Sequence, residues 1–172
     1  VELTNLNSTG HPMDFGIFNL LQHRNRSKSP QEIIAEALEH VQLADALGFS
    51  RAWFAEHHFS NYSLCPSPLI FCNQVAATTK RIRVGCAVLI LPLHAPARVI
   101  AEIALVDALS GGRLDVGVGS GYQNYEFERL GADIGQNKAM FHEMLDMIDR
   151  GLRQSNFSYS GEAYQQHPKA IN

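Results

Sequence analysis

Apolar, β-rich runs alternate with amphipathic helical patterns four times along the chain. The runs cover Asp14–Leu20, Arg51–Ala55, Ile82–Leu91 and Arg113–Val118. The third is apolar on both faces and rich in Val and Ile, the pattern of a buried parallel strand. The helices between them are well punctuated. Ser29-Pro30-Gln31-Glu32 is a capping box with Pro at the first helical position. Behind it Ile34, Leu38, Val41 and Leu47 mark one apolar face, and Gly48 ends the helix. A second helix is predicted from Ser67-Pro68 to about Lys80, and a third from near Pro96 to Ser110-Gly111-Gly112. A fourth covers about Asn137–Leu152, where Met140, Phe141, Met144, Leu145 and Ile148 stack. Tyr122–Arg129 shows no convincing core-facing helix. The stretch Phe157–Tyr164 reads as a small hairpin with Ser160-Gly161 at its turn.

With Phe15, Ala52, Val84 and Leu114 as strand markers, the spacings are 37, 32 and 30 residues. Each step is long enough for one βαβ unit, so the predicted class is α/β with a parallel sheet and right-handed crossovers. Four such units make a small open sheet or half of a (β/α)8 barrel. A closed barrel takes about 250 residues, and this chain has 172. Residues 1–172 read as a single domain, with 1–12 as a flexible lead. In either architecture ligands bind at the carboxyl ends of the strands. The loops after Leu20, Ala55, Leu91 and Val118 are therefore where chemistry is to be sought.

Composition narrows the class. The chain is 45% hydrophobic and 18% charged, with 14 Lys and Arg against 17 Asp and Glu for a net charge of −3. Slight acidity without a Lys/Arg run argues against a nucleic-acid surface or a polybasic membrane anchor. The longest nearly apolar stretch, Val84–Leu93, is half of the roughly 20 residues that a membrane-spanning helix needs, which points to a soluble protein. Val1–Gly10 is polar and reads as no signal peptide. Cys65, Cys72 and Cys86 are an odd count without a C-x-x-C spacing, as expected of a reducing, cytoplasmic setting.

At the end of the second run stands Glu56-His57-His58, framed by aromatics. Imidazole serves as a base near neutral pH or ligates a metal, and an adjacent carboxylate orients it. Alternation along a strand sends the two histidines to opposite faces, so catalysis and a structural role both stay open. After the fourth run, Gly117-Val118-Gly119-Ser120-Gly121-Tyr122 suits either close approach of backbone to a ligand or a plain turn. As a dinucleotide fingerprint it is weak. His94 reads as a loop residue. His142-Glu143-Met144-Leu145-Asp146 lacks the second histidine of a zinc-protease helix, and no metal-ligand spacing demands an ion. Glu126 and Glu128 lie two apart and are poor partners for paired acid/base work. Asp45, Glu39 and Glu36 read as solvated helix charges, and Met140, Met144 and Met147 as core.

Taken in order, these segments resemble the amino-terminal half of the bacterial luciferase-like, flavin-dependent monooxygenase family. The resemblance is carried by Met13-Asp14-Phe15-Gly16-Ile17-Phe18, Trp53–Phe59, Pro96-Ala97-Arg98, Asp107–Leu114 and Gly117–Phe127. It implies the N-terminal half of a TIM (β/α)8 barrel, followed by the hairpin. It implies FMN, supplied reduced by a separate and transient flavin reductase, and use of O2 to oxidise a small organic substrate. It further implies that His57 is the catalytic histidine at the flavin edge, with Glu56 beside it at the cofactor. A non-proline cis peptide against the flavin ring falls at Ala87-Val88. Gly119, Ser120 and Tyr122 lie in the flavin-facing loop, and Lys138 stands where relatives place an arginine on the flavin phosphate.

Some positions depart from the family pattern. Ser120 replaces a frequent phosphate-contacting arginine, and Gly119 stands where luciferase itself has a cysteine. Asn124 replaces a common proline and Ala101 a common glutamate. Two other readings belong beside this one: a deazaflavin-dependent hydride-transfer oxidoreductase, and a non-catalytic half-barrel that binds flavin or serves in assembly. A sheet of four parallel strands with open edges and an uncovered apolar face is expected to form a homodimer or pair with a second half-barrel.

Overall fold

The computed structural model describes residues 13–24 and 27–170, so the predicted lead at 1–12 lies outside the described residues. Strands β1 (Gly16–Asn19), β2 (Arg51–Phe54), β3 (Arg83–Ile90) and β4 (Leu114–Gly119) form one parallel sheet in the order β1-β2-β3-β4. Ile17 stands beside Ala52, Ala52 beside Val84, and Val84 beside Leu114. The marker spacings thus correspond to single βα steps, as a chain of crossovers requires.

Helices α1 (Pro30–Ala46), α2 (Pro68–Thr78), α3 (Pro96–Ser110), α4 (Asn124–Leu130) and α5 (Asn137–Arg153) fill the connections. The capping box at Ser29 is formed in full, with the Glu32 carboxylate accepting from the Ser29 N–H at 2.7 Å. Val41, Val75, Ile103, Met144 and Ile148 bury one face of the sheet through Ala52, Phe54, Val84, Cys86 and Leu114. Met144 and Met147 are core, as their helical spacing predicts. Among the described residues no helix is long and apolar enough to cross a membrane.

Among the described residues no helix covers the opposite face of the sheet. Phe18 is 57% exposed and Val88 38% exposed on it, with Trp53 half-buried between them. The expectation that the third strand is buried on both faces is therefore corrected: its Val84 and Cys86 side faces helices, its Val88 side faces the open concavity. A Cβ at Gly85 would lie 2.5 Å from the Trp53 ring, so glycine is what lets the indole lie across this face. At the amino ends of the strands the same face is polar. The Asp115 carboxylate accepts from Arg83 at 2.7 Å and from Arg51 at 3.2 Å, and these bonds, the Arg83 one foremost, hold its carboxyl below the usual carboxylate range.

Three expectations change locally. Asn124–Leu130 is a helix that the sequence pattern did not announce, because in two turns only Glu126 and Phe127 are buried. The hairpin is longer than predicted, with β5 (Asn156–Ser160) antiparallel to β6 (Gln165–Ala170). Its turn is fastened to α5 by the Glu143 carboxylate, which accepts the backbone N–H groups of Glu162, Ala163 and Tyr164.

Asp45 is not a solvated helix charge. It is buried near the end of α1 and accepts the N–H groups of Lys80, Arg81 and Ile82 at 2.8–3.0 Å, tying α1 to the entry of β3. Burial alone would raise its carboxyl; the three backbone donors outweigh that and set it below its usual value. Asp45→Ala is expected to destabilise the fold by about 1.5–3 kcal/mol, measured by denaturant unfolding at neutral pH. A carboxyl lowered by folding stabilises fully above its unfolded value, about 3.9, and loses that stabilisation as pH falls through the folded value. Wild type and variant are expected to converge in acid; a gap that persists there would place the effect elsewhere.

Candidate active site at the carboxyl ends of the strands

A concavity of about 440 Å³ opens at the carboxyl ends of the strands. Phe18 and Leu20 reach it from the end of β1, and Ala55, Glu56, His57 and Tyr62 from the segment after β2. Ala87, Val88 and Ile90 of β3 form one wall, and Gly119–Tyr122 after β4 form another. Strand pairing of β2 stops at Phe54, so residues 55–58 are free of strict alternation. That freedom turns the two adjacent histidines toward two different carboxylates.

His57 is buried, and its Nδ1 donates to Oε1 of Glu126 at 3.1 Å. The same oxygen accepts the backbone N–H of His58 at 2.8 Å. Glu126 is wholly buried, and its Oε2 has no hydrogen-bond partner. With an acceptor oxygen at Nδ1 the proton of a neutral ring sits there, which leaves the lone pair on Nε2. Tyr62 meets the ring edge-on at 4.9 Å between centroids, and Tyr122 at 6.4 Å. A histidine with one nitrogen held by a buried carboxylate and framed by aromatics is equipped to accept or return a proton.

Glu56 has a separate set of partners. Its Oε1 accepts from His58 Nε2 at 2.8 Å and from His94 Nε2 at 3.0 Å; its Oε2 accepts the Ile90 N–H at 2.7 Å and lies 3.0 Å from the same His94 nitrogen. Burial pushes this carboxyl up, but the donors from His58, His94 and Ile90 overcome it and set it below its usual value. The hydrogen bond to Glu56 raises His58, against burial. His94 is a loop residue, as its sequence setting predicts, and from that loop it is tied to the buried Glu56 carboxylate.

The remaining predicted positions divide. The Ala87–Val88 peptide is cis, and both residues line the concavity. Gly119, Ser120 and Tyr122 line it too, although the glycines serve packing: a Cβ at Gly119 would lie 2.7 Å from Val88 Cγ2. Gly121 has φ +77°, and a Cβ there would strike Phe127 and Ile90. Lys138 is exposed in the first turn of α5 and is not part of the lining. The start of α5 is joined to the loop after β4 by Asn137, whose amide donates to the Gly121 carbonyl at 3.0 Å.

Sequence reasoning missed Glu126 because it weighed that residue against Glu128. Its partner lies 69 positions earlier, and the one local signal is Glu126-Phe127 as the buried pair of a short helix. The cysteines are not nucleophile candidates. Burial pushes Cys65 up to about 12, and Cys72 is raised by its hydrogen bond to Cys86 and by burial. Among the described residues no group of His, Cys, Asp and Glu is placed to hold a metal ion.

The family model described as luciferase-like monooxygenase matches residues 13–171. The uncharacterized protein y4vJ of Sinorhizobium fredii (strain NBRC 101917 / NGR234) is 47% identical over 93% of this chain and 46% of its own length. The oxygenase component of the flavin-dependent trigonelline monooxygenase of Acinetobacter baylyi (strain ATCC 33305 / BD413 / ADP1) is 29% identical over 89% of this chain and 43% of its own. Among solved structures, the oxygenating constituent of 3,6-diketocamphane monooxygenase from Pseudomonas putida, in complex with FMN, superposes with a TM-score of 0.82. That match covers 92% of this chain and 45% of that one, and at 20% identity it is a likeness of fold. The chain spans about half the length of the curated relatives it matches.

Proposed function

The chain belongs to the luciferase-like monooxygenase family, and from that premise we propose that the concavity at its strand ends is a reduced-FMN site where His57 moves a proton during the O2-dependent oxidation of a small organic substrate. The observation that carries the reading is the His57–Glu126 pair at 3.1 Å, buried at the edge of an otherwise mostly apolar concavity.

The residues fit a flavin. A flat, largely apolar ring system needs an apolar wall, and Ala87, Val88 and Ile90 provide one. A phosphate needs positive charge and free N–H donors. Lys138, in the first turn of α5 and outside the lining, supplies the charge, and the macrodipole at that helix end adds to it. Lysine offers a point charge without the bidentate fork of arginine. Bound reduced flavin supplies the electrons that let O2 oxidise the substrate.

The chain's own groups do the rest. With a flavin seated against them, Val88, Ile90 and Phe18 would keep water from the reacting region. Glu126 holds the His57 ring by Nδ1, and Nε2 accepts a proton and returns it. A reductase that delivers the reduced flavin belongs to the same proposal, in line with the name of the Acinetobacter relative as an oxygenase component. The open sheet face with Phe18, Trp53 and Val88 supports completion by further β/α units. A cytoplasmic setting suits the three unpaired thiols.

The test is a fluorescence titration of the chain with FMN, oxidised and then reduced under anaerobic conditions, with a deazaflavin run in parallel. Saturable micromolar binding of FMN, tighter than that of the deazaflavin, is expected. Absence of FMN binding up to millimolar concentration overturns the cofactor reading, and preference for the deazaflavin moves the chain to hydride transfer.

A further inference from the structure

Beyond Cys86 the wall strand β3 loses its β2 neighbour, while its pairing with β4 resumes at Leu89 beside Val118 and Ile90 beside Gly119. Its pairing with β2 ends at Phe54 beside Cys86, and its register with β4 shifts between Cys86 and Leu89. Ala87, Val88 and Ile90, three residues that line the concavity, fall in or just after this gap. The partner that continues the β2 side is one residue. Glu56 gives its backbone N–H to the Val88 carbonyl at 3.4 Å and accepts the Ile90 N–H on Oε2 at 2.7 Å. A side chain thus takes the place of the missing strand neighbour.

That carboxylate is itself held by two histidines, one from its own segment and one from beyond β3. His94, between the 3₁₀ turn at Leu91–Leu93 and the start of α3, directs Nε2 to both oxygens at 3.0 Å. His58 donates to Oε1 at 2.8 Å. The Glu56 side chain has no exposed surface, so an ionised carboxylate there depends on these donors. Both oxygens are occupied by protein groups, which leaves Glu56 little to offer a ligand directly.

We propose that Glu56 and His94 form a positioning clamp that holds the Ala87–Ile90 wall in the shape the cofactor needs, joined to the His57–Glu126 pair only through His58. The clamp rests on the flavin-site reading above for its consequence. The residue sequence analysis placed at the cofactor, Glu56, acts through the wall. The residue it set aside, His94, orients Glu56.

The experiment compares His94→Ala, His94→Gln and Glu56→Gln with wild type in the same chain. Three quantities are read: hydrogen exchange at the Ile90 amide, the FMN dissociation constant by fluorescence, and the melting temperature. In His94→Ala, Ile90 exchange is expected to quicken about tenfold or more with the fold retained. FMN affinity is expected to fall by about tenfold in the same variant. His94→Gln keeps an N–H donor and is expected to recover most of both effects. Glu56→Gln retains an acceptor for Ile90 and is expected to fall between. Ile90 exchange and FMN affinity within about twofold of wild type in His94→Ala overturn the clamp, and so does equal loss in His94→Gln. If His94→Ala does not fold, the two glutamine variants decide by the same readouts. If wild type binds no FMN, the cofactor reading fails on its own, and Ile90 exchange alone decides whether the clamp exists.

Discussion

His57→Ala is expected to lower flavin- and O2-dependent turnover by about 10²–10⁴-fold while the FMN dissociation constant stays within a few-fold of wild type. The split follows from where the ring sits. His57 is one of several residues on the concavity, and the apolar wall that would hold a flavin, Ala87 to Ile90, does not depend on it. Its distinct property is a ring nitrogen held by a buried carboxylate, which serves proton transfer more than affinity. Turnover is read by oxygen consumption with reduced flavin and substrate, and affinity by fluorescence. A variant that turns over at the wild-type rate would remove His57 from the reaction. A variant that loses FMN binding along with turnover would make the ring a cofactor contact.

Glu126 is the second site of large effect, and two substitutions there separate stability from chemistry. Glu126→Ala leaves the His58 N–H and the His57 Nδ1 without their acceptor at a position where Glu126 itself is wholly buried. Leaving these donors unsatisfied costs about 1–3 kcal/mol each, read by denaturant unfolding. Glu126→Gln keeps the volume and one acceptor oxygen. Its amide can also present an N–H to His57 Nδ1, which moves the ring proton to Nε2 and removes the base. Turnover is then expected to fall by about 10²-fold with the fold intact, as in other histidines forced into the wrong tautomer. A glutamine variant with wild-type turnover would reduce Glu126 to a structural role; an alanine variant as stable as wild type would deny even that.

The parts of this protein that were legible in the sequence are those fixed by neighbours along the chain. Ser29-Pro30-Gln31-Glu32 satisfies the free N–H groups of a helix start within four residues, so the cap can be read and is formed. The intervals between strand markers are set by the length of one crossover, and the parallel order follows from them. The family and the half-barrel class were legible in the same way, from short motifs in a fixed order. Asp45 was misread as a solvated charge because nothing near it in sequence announces three waiting N–H groups 35 to 37 residues later.

The same limit governs the candidate site. Sequence by itself pointed to the strand-end loops as the candidate site and placed His57 in one of them, since strand ends and loop composition are local properties. Only the tertiary structure decided which carboxylate each histidine meets: Glu126 for His57, and Glu56 for both His58 and His94. It also decided that one face of β3 looks outward into the concavity rather than into a second layer of helices. Hydrogen bonds between residues 69 and 38 positions apart depend on how the crossovers stack, and no periodicity along the chain encodes that stacking.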